Sequence, residues 1–111
     1  MKTTSLSVAR TLAAITWVAT FGASAQMPPA ATQLHNRATA AMCANCHGTD
    51  GRTVEGSAIP ALIGMPKDYM VLQLKSFKDG SRPATVMHQI TKGLTDAQID
   101  TISSYYAATK R

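Results

Sequence analysis

The sequence has little cysteine, no long apolar run and no strand-like alternation, and each shortage removes a class of protein. Only two of the 111 residues are cysteine, too few for the disulfide framework that staples many small exported domains. Two thiols also fall short of a closed four-ligand zinc site, and the spare histidines His35 and His88 lie far from them in sequence. The apolar stretch Thr11 to Phe21 is too short to cross a bilayer, and no second one follows. Period-two alternation and internal repeats are absent, so a sheet protein or a repeat array is not expected. The basic residues, such as Arg52, Lys67, Lys75, Lys78, Arg82 and Lys92, are scattered and form no run. Nucleic acid is therefore not an expected partner.

The N-terminal stretch reads as an export signal. Lys2 and Arg10 give a basic start, Thr11 to Phe21 an apolar centre, and Ala23-Ser24-Ala25 a small-residue cleavage site. Cleavage after Ala25 would leave Gln26 first, which cannot be lipidated as a cysteine could. The expected organisation is a signal peptide over residues 1–25 and one domain over residues 26–111, located in the periplasm with no membrane span. Losing Lys2 and Arg10 lowers the formal charge from +5 to about +3. Most of those cations read as solvated surface, with a few available to rim a docking face for an acidic partner.

What the chain does contain is Cys43-Ala44-Asn45-Cys46-His47. Cys43, Cys46 and His47 stand at i, i+3 and i+4, offsets that share one face of a helical turn. Two thiols so placed can bond to two vinyl groups of a haem while the imidazole meets the iron, and C-x-x-C-H is the pattern of c-type haem attachment. A thioredoxin-like dithiol would follow a strand, whereas an alanine-rich helical pattern precedes Cys43. A domain of this length has a marginal core of its own. A covalently held, mostly apolar macrocycle would enlarge that core, and it would consume both cysteines as thioethers despite export to an oxidising compartment.

The rest of the chain reads as an all-α wrapping of that site. Pro28-Pro29 belongs to a flexible lead-in, and from Thr32 the positions Leu34, Arg37, Ala38, Ala41 and Met42 predict a first helix running into Cys43. Small residues Ala38 and Ala41 are expected where it crosses the last helix. Residues 48–64 lose periodicity and gather glycine, a long loop that makes sense if Ile59, Leu62 and Ile63 pack on a cofactor. Pro60 is either a turn proline or the carbonyl that fixes the His47 ring. Pro66 opens a second helix with Met70, Leu74 and Phe77 as its apolar stripe, ended by Asp79-Gly80. Met65 and Met70 read as packing residues. After the breaker Pro83, Met87 and His88 offer a thioether and an imidazole side by side; Met87 is favoured for the sixth iron position, with His88 or an open pocket as the alternatives. Thr95 to Gln98 is a capping box opening the closing helix, whose inward face is Ile99, Ile102, Tyr105 or Tyr106, and Thr109.

This succession of haem motif, long loop, middle helix, methionine segment and closing helix resembles the class I cytochromes c over the whole of residues 26–111. Cys43 to Gly51, Ile59-Pro60-Ala61-Leu62, Tyr69 to Gly80 and Thr85 to Leu94 are most similar to small periplasmic cytochromes whose relatives serve as the cytochrome subunit of flavocytochrome c sulfide dehydrogenase. The resemblance implies three to four helices and long loops around one covalent haem c, held by Cys43 and Cys46. It further implies His47 and Met87 as the iron ligands, and the Pro60 carbonyl as the partner of His47. It also implies an electron carrier and not an enzyme, with a redox partner protein, a flavoprotein subunit that oxidises sulfide. A general soluble carrier feeding a terminal oxidase shares most of the pattern. Some relatives carry two haems, whereas one C-x-x-C-H implies one here.

Overall fold

Pro29 stands at the first position of helix α1 (Pro29–Ala40), where its missing N–H costs nothing and its fixed φ already suits a helix. The two prolines thus start α1 three residues before the periodicity suggests. The computed structural model describes residues 28–110, and the expected leader, residues 1–25, lies outside them. Helix α1 passes through a 3-10 turn (Ala41–Cys43) into the single turn α2 (Ala44–His47), so the C-x-x-C-H motif ends one long helical run. Gly48 stops it with φ of 78°, and a Cβ there would sit 2.0 Å from the Arg52 carbonyl oxygen. Only glycine fits that turn.

Helix α3 (Lys67–Asp79) is preceded by Pro66, which caps the helix and does not occupy its first turn; Gly80 ends it in the left-handed region. A loop leads to the short helix α4 (Met87–Lys92), and α5 (Asp96–Ala108) closes the chain. At its start the Gln98 N–H donates to Thr95 Oγ1 at 3.2 Å, while the Thr95 N–H donates to Gln98 Oε1 at 2.9 Å. This reciprocal pair is the expected capping box, and it satisfies two otherwise orphaned donors. The described residues contain no strand.

Helix α5 packs against both α1 and α3, and α4 packs on α3. Ile99, Ile102 and Tyr106 of α5 are buried together with Ala40, Met70, Leu74 and Leu94. Between the two candidate tyrosines, Tyr106 enters the core and Tyr105 stays half-buried, its ring edge-on at 5.2 Å. The Tyr106 hydroxyl donates to the Ala40 carbonyl at 2.8 Å, giving a buried polar atom the partner it requires. Tyr105 donates to Asp50 Oδ1 at 2.8 Å.

The face of α1 differs from expectation. Leu34 is 69% exposed, and Ala38 and Ala41 face solvent, whereas Ala40 is fully buried against α5. The motif sets this phase: stepping back from Cys43 by three residues reaches Ala40, and by seven reaches Asn36, so those positions turn inward with the cysteine. The loop after α2 is held by backbone. Leu62 and Ile63 N–H groups donate to the Gly51 carbonyl at 2.9 and 3.3 Å, and Gly64 N–H donates to the Tyr106 carbonyl at 2.9 Å.

Candidate cofactor site

Cys43, Cys46, His47, Pro60 and Met87 all line one cavity of about 530 Å³, a size suited to a cofactor. They reach it from three separate segments: the end of the first helical run, the glycine-rich loop and the first turn of α4. His47 is 8% exposed, and its Nδ1 lies 2.7 Å from the Pro60 carbonyl oxygen. A carbonyl can only accept, so Nδ1 carries the proton and Nε2 keeps its lone pair for a metal. Cys43 is half-buried and Cys46 exposed. Burial pushes the Cys43 thiol up, and a hydrogen bond with Tyr106 opposes the shift; both act on the thiol before it bonds to a cofactor.

Met87 is half-buried at the first position of α4. Its backbone is held by Thr91, a fully buried residue whose hydroxyl donates to the Met87 carbonyl at 2.8 Å. The loop that delivers it is tied back onto α3. Arg82 N–H donates to the Ser76 carbonyl at 2.9 Å, its guanidinium lies 4.5 Å from the centre of the Phe77 ring, and Nη1 donates to Gln73 Oε1. Stacking on an aromatic face suits a planar, weakly hydrated cation.

Helix α3 serves two sides. Met70 and Leu74 belong to the core and also line the cavity, while Tyr69, Gln73 and Phe77 line the cavity alone. Spacings of four along 69, 73 and 77 carry the signal for this second stripe, since α3 has more apolar width than one protein contact uses. Ile59 and Leu62 line the cavity as expected of the loop, whereas Ile63 is buried elsewhere. His88 is not among the lining residues, and His35 is exposed on α1. The short turn explains His88: adjacent residues on a helix point about 100° apart, so Met87 and His88 cannot serve one site equally.

Two thiols, an imidazole and the thioethers of Met42, Met65, Met70 and Met87 in a wall that is otherwise largely carbon fit an iron porphyrin attached through cysteine. A bare metal site is a poorer match, because among the described residues no group of three or more His, Cys, Asp or Glu side chains gathers for an ion. A family model described as Cytochrome c matches residues 36–110. The chain belongs to the cytochrome c family. It accordingly carries a covalent c-type haem, with Cys43 and Cys46 in the attachment spacing.

Among curated relatives, the thiosulfate dehydrogenase electron acceptor of Thiomonas intermedia is 35% identical over 90% of this chain and 42% of its own length. The cytochrome subunit of sulfide dehydrogenase from Chlorobaculum tepidum is 44% identical over 58% of this chain and 56% of its own. The solved cytochrome c4 of Acidithiobacillus ferrooxidans superposes with a TM-score of 0.62 and 30% identity, covering 70% of this chain and 50% of that one. The chain therefore spans about half the length of these relatives. No described helix is long and apolar enough to cross a membrane.

Proposed function

We propose that the chain is exported, loses residues 1–25, and works in the periplasm as a carrier whose haem iron is bound by His47 and Met87. Its electrons come, in this reading, from a flavoprotein dehydrogenase that oxidises sulfide. What supports the ligand assignment is the shared cavity, which His47 and Met87 line together with both attachment cysteines; Met42, Met65 and Met70 line it as well, and the family resemblance selects Met87 among the four. A bound haem supplies a one-electron Fe(III)/Fe(II) couple. His47 contributes its Nε2 lone pair, with the Pro60 carbonyl fixing tautomer and ring orientation. Met87 would offer a soft thioether, the ligand type that raises the potential, and would leave the iron no place for a substrate or gas. The exposed apolar lining residues Ile59, Tyr69, Val86 and Ile90 offer a surface suited to brief docking.

Absorption spectroscopy of the oxidised protein tests the ligands. The weak red band of sulfur-to-iron charge transfer should be present, should vanish in Met87→Ala and should persist in His88→Ala. The opposite pattern would transfer the sixth position to His88. Rapid carbon monoxide binding by the reduced wild-type protein would instead indicate an open position.

For the donor, the 44% identity to a sulfide dehydrogenase cytochrome subunit supports the flavoprotein reading. The longer match to a thiosulfate dehydrogenase electron acceptor favours a second one, in which the donor oxidises thiosulfate. Stopped-flow reduction with each purified dehydrogenase and its substrate separates them. Reduction only with the flavoprotein and sulfide supports the first, and reduction only with the thiosulfate enzyme replaces it.

A further inference from the structure

The wall of the haem cavity is chemically uneven. Among the described residues, Arg82 is the one lysine or arginine that lines it, and no aspartate or glutamate does. Gln73 touches Arg82, and Tyr69 stands one turn before Gln73 on the same face of α3, so an otherwise apolar wall carries a guanidinium, an amide and a phenol together. The attachment cysteines reach the cavity from a different part of the fold. Helix α3 packs on α4 and α5, whereas α2 packs on the turns that flank it in the chain. The cavity therefore lies between the cysteines and this polar group. Arg82 is held there without being used up. Its Nη1 donates to Gln73 Oε1, and its guanidinium lies over the Phe77 ring at 4.5 Å, a contact that consumes no N–H. A guanidinium has five N–H donors, so four are left. Arg82 makes no ion pair among the described residues, and neither the Gln73 amide nitrogen nor the Tyr69 hydroxyl makes a hydrogen bond among them.

A haem is not apolar all round. The vinyl groups that cysteines take and the two propionates sit on opposite edges of the macrocycle, and an ionised propionate only accepts hydrogen bonds. Attachment at Cys43 and Cys46 therefore turns the propionate edge away from α2. We infer that Arg82 is the cation that pairs with a haem propionate, through the N–H groups that Gln73 leaves free, with the Gln73 amide nitrogen and the Tyr69 hydroxyl as further donors. A carboxylate at the border of an apolar cavity is costly unless donors or a cation meet it. The planar fork of arginine matches two carboxylate oxygens, and stacking on Phe77 orders it in advance, so binding has less side-chain freedom to remove. Arg82 would then act on the iron couple as well. An unpaired propionate charge favours Fe(III), and a guanidinium beside it offsets that charge and raises the potential. The inference rests on the bound haem and not on the identity of the sixth ligand or of the donor.

The test uses the intact haem-loaded protein, made with haem isotopically labelled at its two propionate carboxyl carbons. NMR of the reduced protein reads those two carbons, and redox titration gives the midpoint potential. Arg82→Gln should displace at least one carboxyl resonance and lower the potential. At a fixed applied potential the oxidised-to-reduced ratio should rise by about threefold to tenfold, tenfold being about 59 mV. Arg82→Lys keeps the charge and loses the fork, so it should return the ratio to within about twofold of wild type while the resonance stays displaced. Lys92→Gln removes an exposed cation of α4 that does not line the cavity, and it should move neither reading. Carboxyl resonances unmoved in Arg82→Gln would overturn the inference. So would an equal fall in potential for Arg82→Gln and Lys92→Gln, which would mean a general effect of charge and no contact. If Arg82→Gln loses the red sulfur-to-iron band, the methionine loop has moved, and Arg82→Lys decides through the resonance alone, an unmoved one overturning the inference. A wild-type protein without that band would overturn the Met87 assignment and leave this comparison of variants intact.

Discussion

Along α5, Ile99 and Tyr106 meet protein on their packed faces and are almost wholly buried, while Ile102, equally buried, also borders the haem cavity. Around the cavity, Ile59, Tyr69, Val86 and Ile90 are equally apolar residue types, yet they stand 39%, 51%, 52% and 40% exposed. The difference is in what each region packs against. The α1–α5 side completes its core from the polypeptide alone, whereas the cavity side presents an apolar wall whose complement is the haem. Burying a large apolar side chain contributes about 1.5–3 kcal/mol. Several of them together rival the roughly 5–15 kcal/mol that holds a small domain folded.

Removing the cofactor should break the comparison most severely. In Cys43→Ala with Cys46→Ala the haem has no covalent hold, and the cavity wall loses the partner that its residues lack within the protein. We expect absent covalent haem, together with loss of the cooperative melting transition followed by circular dichroism. Residual helix, if any, should belong to α1 and α5. A double variant melting at the wild-type temperature would mean that the cavity side is stable by itself, and the contrast would collapse.

Two glycines sharpen the same contrast at smaller scale. Gly51 and Gly56 have nearly equal φ, 74° and 77°, so alanine at either position pays the cost of a left-handed backbone, about 1–2 kcal/mol. Their surroundings differ. A Cβ at Gly51 would lie 2.9 Å from Leu62 Cβ and from the Tyr106 ring, while at Gly56 nothing lies within 4 Å. Gly51→Ala should therefore be the more destabilising by roughly 1–3 kcal/mol, the usual range for overpacking. Urea unfolding of the two holo variants measures this directly. Equal losses would show that the Gly51 turn can move away from α5 at little cost.

These two regions were unequally legible in the sequence. The haem motif, the capping box at Thr95 and the stripe of Met70 and Leu74 depend on local spacing, and local spacing survives folding. The face of α1 did not follow its most apolar residue, because Leu34 had to yield to the phase set by Cys43 and His47. Pro29 was legible in principle, since a proline at a helix start is favourable, but it sits beside a second proline that resembles a linker. The convergence of Pro60 and Met87 with the motif rests on contacts distant in sequence, and resemblance pointed to it where periodicity could not. Nothing local marks Arg82 as a residue that ties the methionine loop to Phe77. Its stacking depends on the turn after Gly80, which brings the chain back over α3.

The smallest effect lies on the protein-packed side, at the junction of α3 with the start of α5. Lys75, then Lys78, hold the Asp96 carboxyl below the usual carboxylate range, at 3.5 and 3.4 Å. A carboxyl lowered in the folded state stabilises the protein above its unfolded pKa, and that contribution disappears as pH falls through the folded value. The stability difference between wild type and Asp96→Asn should then be constant near neutrality and shrink toward zero in acid. Because the group is solvent-exposed, the difference should be small and should diminish further in high salt. Asp96 also lies in the first turn of α5, where a negative charge favours the helix, so some difference should survive the replacement of either lysine alone. Denaturant midpoints measured for both proteins across the acid range decide the matter. A gap that persists after the carboxyl is protonated would assign the effect to packing at the α3–α5 junction and remove charge from the account of that side.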